Sequence, residues 1–341
     1  MGFLSSIFGY VLNFLYETIS NYGVSIIIFS VLLRLILLPL TIKQQKTMKK
    51  SAKLQEKLKV LQEKYKNNPE KLNTETMNLY KEEKMSPFSG CFSGILQILI
   101  IFSVFWLVSQ PLTYMKKVDT EVINAYKEQI KEENNGENVT YPEIKIIAKI
   151  EEEYKEVIQK IEEKSSEEAL EETTQTEEVK ENKEKESEEQ EESAEKSIDD
   201  MTLEELNSKK QELEKMRINM DFLGLDLSMV LTQNLGDWRV YVIPVLYVIT
   251  SFISIKITTN AQKNEKKKNE DTLAEDGTST NNADEMAESM QQMNNTMLYM
   301  MPIMSISIAS IAPLGLALYW LVSNILMIIE RLVINKFIKS Y

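Results

Sequence analysis

At 341 residues, with 43% hydrophobic content and a formal net charge of −13, the chain has an average composition that conceals two populations. Residues 151–200 hold 22 Asp/Glu against 7 Lys, a net of −15 that leaves the remainder near +2, so the acidity is a local insert. The absence of His, the single Cys91 and the lack of any Walker A, GxGxxG, GxSxG or HExxH pattern argue against an enzyme, a cofactor, a disulfide or a metal site.

Residues 1–20 are apolar apart from a narrow stripe of Ser5, Gly9, Asn13 and Glu17, spaced four apart, which predicts an amphipathic helix lying along a membrane interface. No Lys or Arg precedes Arg34, so a signal-peptide amino region is not expected. Residues 21–42 form the first predicted span, apolar from Gly23 to Ile42 and long enough to cross ~30 Å of hydrocarbon. Arg34 sits near its middle, with Ser30 one turn earlier on the same face. A cation at that depth costs at least ~2.5–3.5 kcal/mol unless it reaches water or a partner. Two readings compete: an Arg that snorkels or pairs structurally with an acid, and an Arg that lines a water-containing cavity. The uncharged runs of the other spans offer no Asp or Glu to pair with, which favours the cavity.

Residues 43–86 read as a cytoplasmic helical hairpin. Nine Lys against two Glu between Lys43 and Lys66 mark the cytoplasmic side, so the first span runs from outside to inside. Leu54, Leu58, Leu61 and Tyr65 form an apolar seam, and Asn68-Pro69 is the expected cap and first position of the second helix. The second span, 91–109, carries Gln97, which needs a hydrogen-bond partner or water. Residues 111–237 are then extracytoplasmic, with helical periodicity over 144–161 and 201–216. The acidic low complexity between them, within 151–200, cannot bury enough apolar area to fold by itself and is expected to be marginally helical or a coiled-coil pair with a disordered tip.

The apolar patch Phe222-Leu223-Gly224-Leu225 is expected to dock at the outer interface ahead of the third span, 239–257. Pro244 is tolerable in that span if neighbouring helices compensate for its missing bond. Residues 258–296 form a cytoplasmic loop, and Met286, Met290, Met293, Met297, Met300 and Met304 make a stripe at helical spacing. The charge-free run 297–329 is too long for one crossing, and Ala312-Pro313-Leu314-Gly315 divides it into spans 297–311 and 313–333. A short cytoplasmic tail, 334–341, follows. The expected architecture is an all-α integral membrane protein with five transmembrane helices, a cytoplasmic helical hairpin and an amino-terminal interfacial helix. Its amino end lies outside and its carboxyl end in the cytoplasm of a plasma-membrane cell envelope.

The segments LLRLILLPLTIKQ at 32–44, KYKNNPEKL at 64–72, LYKEEKMSPFSGC at 79–91, IPVLYVITSF at 243–252, MMPI at 300–303 and PLGLALYWLVSN at 313–324 together resemble the YidC/Oxa/Alb family of membrane protein insertases, in its five-span bacterial form. The resemblance implies a hydrophilic groove in the cytoplasmic leaflet, closed on the outer side, that inserts and chaperones nascent membrane proteins without nucleotide. It implies Arg34 as the groove arginine, Ser30 and Trp320 as substrate contacts, and Gln97 as the glutamine of the second span. Tyr319, Asn324 and Ser254 complete the candidate groove set; Ser254 stands where relatives carry Gln, and Leu99 where they often carry Pro. Nascent membrane proteins and membrane lipid are the implied partners, with the Sec translocon and the ribosome as further candidates and no nucleic-acid binding of the chain's own. The rival classes are a transporter or channel for small anions and a structural assembly factor for membrane complexes.

Overall fold

The computed structural model describes residues 2–65, 68–83, 89–137, 139–174, 197–273 and 307–338. Among them three helical stretches are long and apolar enough to cross a membrane, Tyr22–Lys43, Trp238–Ile257 and Leu314–Ile334, and Ile98–Ser109 is a shorter apolar helix. The Met stripe from 286 to 304, most of the expected span 297–311, the tip of the acidic insert at 175–196 and residues 339–341 lie outside the described residues. The chain divides into two compact units, one made of residues 1–109 with 220–341 and the other of residues 110–219.

In the first unit, α1 (Gly2–Ile19) is followed by α2 (Tyr22–Lys64), whose start is capped by the Asn21 side chain accepting from Val24 N at 3.1 Å. The stripe of α1 divides, its first half packing inward while Glu17 stays exposed. Ser5 and Gly9 are buried, and the Ser5 hydroxyl donates to the Ser103 carbonyl at 2.9 Å, in α4 (Ser89–Ser109). Phe3, Tyr10 and Phe14 point outward, 81%, 67% and 71% exposed. A helix in contact with hydrocarbon gains nothing by turning small polar residues outward. It packs them against a neighbour, where close approach and hydrogen bonding are both available. Phe8 also meets Phe29 of α2 edge-on, with ring centroids 5.7 Å apart.

α2 is 43 residues long and passes without interruption through Pro39 into the Lys-rich segment. The Lys-rich part of α2 packs against the helix that follows it. Asn68 accepts from Lys71 N at 3.1 Å, Pro69 opens α3 (Pro69–Glu82), and Leu54 and Leu79 are buried between the two helices. An exposed Lys57–Glu83 ion pair bridges them.

Before the next long helix the chain makes a two-residue hairpin. Strands β1 (Asp221–Phe222) and β2 (Leu225–Asp226) pair antiparallel across Leu223 and Gly224, at φ +54° and +78°. Both turn residues are left-handed, the geometry of a type I′ turn; it suits Gly224 and costs Leu223 about 1–2 kcal/mol. The hairpin is fixed to the start of α2, where the Asn21 amide donates to the Asp221 carbonyl at 2.8 Å and the Phe222 ring covers Gly23. The following residues hold the 312–315 break: Leu314 N donates to Met229 O and Gly315 N to Leu227 O, each at 2.9 Å. A 3₁₀ turn, Trp238–Tyr241, leads into α8 (Val242–Leu273). Pro244 is the third residue of α8, where its backbone nitrogen has no helical partner to lose, so neighbouring helices need not compensate for it. The last helix, α9 (Leu314–Ile338), packs against both α8 and α2.

The second unit is a helical fold with its own core. Helices α5 (Thr120–Glu133), α6 (Pro142–Thr174) and α7 (Leu203–Met216) bury Ile123, Ile130, Ile146, Ile150, Val157, Leu206 and Leu213. The periodicity over 144–161 and 201–216 is realised in α6 and α7, and the helical reading extends to residue 174. Thr202 and Glu205 form a reciprocal capping box at the start of α7. Arg217 closes the end of α7 with a bidentate pair to Glu151, Nε to Oε2 at 2.5 Å and Nη2 to Oε1 at 3.0 Å, and its guanidinium lies 4.3 Å from the Tyr154 ring centroid. That pairing holds the Glu151 carboxyl below its ordinary range. Glu143, the second residue of α6, is buried and accepts from Thr113 N at 3.0 Å and from the Thr113 hydroxyl at 2.6 Å.

Candidate functional site

Helices α2, α8 and α9 run in the same direction. At one end Tyr22 lies within 3.5 Å of where a side chain on Gly315 would begin, and further along α2 and α9 Arg34 meets Glu330. On the other side of α9, Tyr247 packs on Trp320 with ring centroids 6.4 Å apart. Asn324, one turn on, donates from Nδ2 to Ser251 Oγ at 3.1 Å and Thr250 Oγ1 at 3.2 Å. The two faces follow from helical spacing: Tyr319, Ser323 and Glu330 align toward α2, while Trp320 and Asn324, rotated by about 100°, meet α8.

The Arg34 environment overturns one expectation. The guanidinium has a carboxylate partner: its Nε lies 2.6 Å from Glu330 Oε2. The charge-free run ends at Ile329, and counting uncharged residues therefore passed over Glu330, although it falls inside both the expected span 313–333 and the apolar helix Leu314–Ile334. At 1.5 Å per residue Arg34 lies about 18 Å beyond Tyr22 along α2, more than half-way through the apolar stretch Tyr22–Lys43 and toward its Lys-rich end. The Glu330 side chain is 5% exposed, whereas Arg34 keeps 21% of its side-chain surface uncovered. The pair is thus closed on the carboxylate side and open on the guanidinium side. Despite the short distance, neither Arg34 Nε nor either Glu330 oxygen has an aligned hydrogen bond among the described residues. Arg331 lies close enough for the charges of both Arg34 and Glu330 to act on it.

The remaining candidates are distributed around this pair. Tyr319 is buried, shares a hydrogen bond with Ser323 and feels the Arg34 charge, so it belongs to the same neighbourhood. Ser30 is buried and its hydroxyl donates to Ile26 O at 2.7 Å, so its hydrogen bond closes on its own helix. Asn324, Trp320 and Ser254 belong to the α8–α9 side, where Ser254 is buried one turn beyond Thr250 and Ser251. Gln97 falls within α4, and its side chain lies outside the described residues. Sequence reasoning missed Glu330, Thr250 and Ser251. The signal for Glu330 was its register with Tyr319 and Ser323, and for the hydroxyl pair its position at the depth of Asn324.

Comparison with known proteins places these elements in a family. The 60Kd inner membrane protein family matches residues 14–134 and 201–340, passing over the segment that contains α6 and the acidic insert. Over 108 residues the chain is 40% identical to the membrane protein insertase YidC of Caldanaerobacter subterraneus, covering 32% of this chain and 52% of that protein. It is 42% identical over 102 residues to the YidC insertase of Fusobacterium nucleatum, covering 30% of this chain and 50% of that one, and 42% identical over 106 residues to that of Buchnera aphidicola, covering 31% and 20%. The matched stretch thus spans about half the length of the first two relatives and a fifth of the third. A chain with helices of membrane-spanning length, matched by one family over both sides of its insert, belongs to the 60Kd inner membrane protein family, the YidC/Oxa group of membrane proteins.

Proposed function

We propose that this chain is a membrane protein insertase whose Arg34 site receives polar segments of nascent membrane proteins from the cytoplasmic side. The observation that carries the reading is a cation about 18 Å deep in a span, with a fifth of its side-chain surface open. A buried structural pair needs no such opening. An incoming polar segment crosses hydrocarbon at several kcal/mol per uncompensated group, and a polar recess reaching Arg34 would shorten the dry part of that path. The substrate's own apolar helix then moves into lipid, driven by burial of its side chains.

The parallel direction of α2, α8 and α9 supports five spans. Two consecutive crossings in one direction require an odd number of returns between them, and the sequence offers one apolar stretch in each interval, 91–109 and 297–311. The Lys-rich continuation of α2 then lies in the cytoplasm by the positive-inside rule, with the α2–α3 hairpin as first receiver and residues 110–219 outside.

The test is complementation of an insertase-depleted strain with full-length Arg34→Ala and Arg34→Lys variants, read by insertion of single-span substrates with acidic translocated ends. Loss of insertion in the Ala variant is expected, with partial retention in Lys, which keeps the charge but not the planar fork. Full activity of Arg34→Ala would remove Arg34 from the mechanism.

A further inference from the structure

The chain contains two Arg–Glu pairs of different construction. Arg217–Glu151 is bidentate, with both contacts aligned. Arg34–Glu330 has its shortest contact between Nε and Oε2, at 2.6 Å, and neither of these atoms has an aligned hydrogen bond among the described residues. Bidentate, aligned pairs are the strong ones, and guanidinium offers five donors on a rigid fork. The Arg34 pair therefore has the proximity that neutralises charge without the geometry that fixes it. With Arg331 beside it, the cluster of Arg34, Glu330 and Arg331 carries a formal net charge of +1.

We propose that Glu330 is a resident counter-ion, exchanged for a carboxylate of the translocating segment when a substrate occupies the Arg34 site. The inference rests on the insertase reading and names the regulation of that site. Without substrate, Glu330 spares the membrane an unpaired cation. When an acidic segment arrives from the open side, one carboxylate replaces another at the guanidinium, so Arg34 is at no stage unpaired. Glu330, released, stays beside the positive charge of Arg331. The exchange makes binding transient, because the displaced carboxylate remains within reach to reclaim its place. Glu330 is thus a positioning residue that sets how strongly the site prefers acidic over neutral segments.

The experiment reconstitutes the full chain in anionic phospholipid vesicles. It compares insertion rates of two single-span peptides identical except for two Asp, or two Asn, in the translocated amino end. Glu330→Gln keeps the shape and an acceptor oxygen but removes the competing charge. It is expected to raise the Asp-to-Asn rate ratio at least threefold, with the Asn peptide changed less than twofold. Glu330→Asp, one methylene shorter, should move the ratio in the same direction by less, and it serves alone if the Gln variant does not fold. A ratio unmoved in whichever variant folds, or an equal loss for both peptides, would make the pair purely structural and overturn the inference while leaving the insertase reading standing. A wild-type chain that inserts neither peptide would remove that reading and the inference together.

Discussion

Replacing Glu143 separates the value of its charge from the value of its hydrogen bonds. The carboxylate is buried, and it accepts from both the backbone N–H and the hydroxyl of Thr113. Burial pushes its pKa up more strongly than the Thr113 hydrogen bonds and the Lys127 charge pull it down. The site therefore favours an uncharged acceptor. Glu143→Ala leaves two donors without an acceptor, at about 1–3 kcal/mol each; because the hydroxyl can turn elsewhere, the total should be about 2–4 kcal/mol. Glu143→Gln retains a carbonyl acceptor and removes the desolvated charge, so it should stay within about 1 kcal/mol of wild type at pH 7. The pH dependence has a definite sign. A carboxyl whose folded pKa lies above its unfolded value binds its proton more tightly when folded. Its contribution is greatest below the unfolded pKa and is lost as pH rises through the folded one. Wild type should therefore lose stability relative to Glu143→Gln between about pH 4 and pH 7. Hydrogen exchange of the α5 and α6 amides, measured on the full chain in nanodiscs at both pH values, reads these differences. Equal damage from the Gln and Ala substitutions at pH 7 would refute the reasoning, because it would mean that the charge itself holds the unit together.

Two further substitutions test the packing that positions the site. A Cβ on Gly23 would lie 2.5 Å from the Phe222 ring, so Gly23→Val should displace the β-hairpin and cost about 1–3 kcal/mol, read as a lower Tm in detergent; an unchanged Tm would show that the contact does not hold. Asn324→Ala, combined with Ser251→Ala in a double-mutant cycle, should give a coupling of about 0.6–1.7 kcal/mol, the range for hydrogen bonds between membrane helices. A coupling near zero would mean that the contact carries no stability.

The elements legible in the sequence are those decided by local rules. Asn68 and Pro69 start α3 because a capping side chain and a fixed φ act within one turn. The 312–315 break was visible because thirty-three uncharged residues exceed one crossing. What the sequence left hidden depends on partners far along the chain. The small-residue stripe of α1 carries no mark of whether it faces water or a helix, and α4 decides it through Ser103. Glu330 lies just past a clean apolar run, and only the register of α9 against α2 brings it to Arg34, nearly 300 positions away. Pro244 looked like an interior defect because the 3₁₀ turn ahead of α8 leaves no trace in hydropathy.

The unbroken length of α2 has a mechanical consequence. The helix is pinned near one end, where Phe222 rests on Gly23, and extends for 43 residues, about 64 Å, to the hairpin. A tilt of about 5° about that pin would carry the Lys64 end through roughly 5 Å but shift Arg34 by only about 1.5 Å. That smaller displacement is enough to stretch a 2.6 Å ion contact beyond hydrogen-bonding reach. Pro39 lies between the two points and removes one rung of the backbone ladder, which sets how much of the swing arrives. A load taken up by the hairpin is in this way geared down into a fine adjustment at the guanidinium.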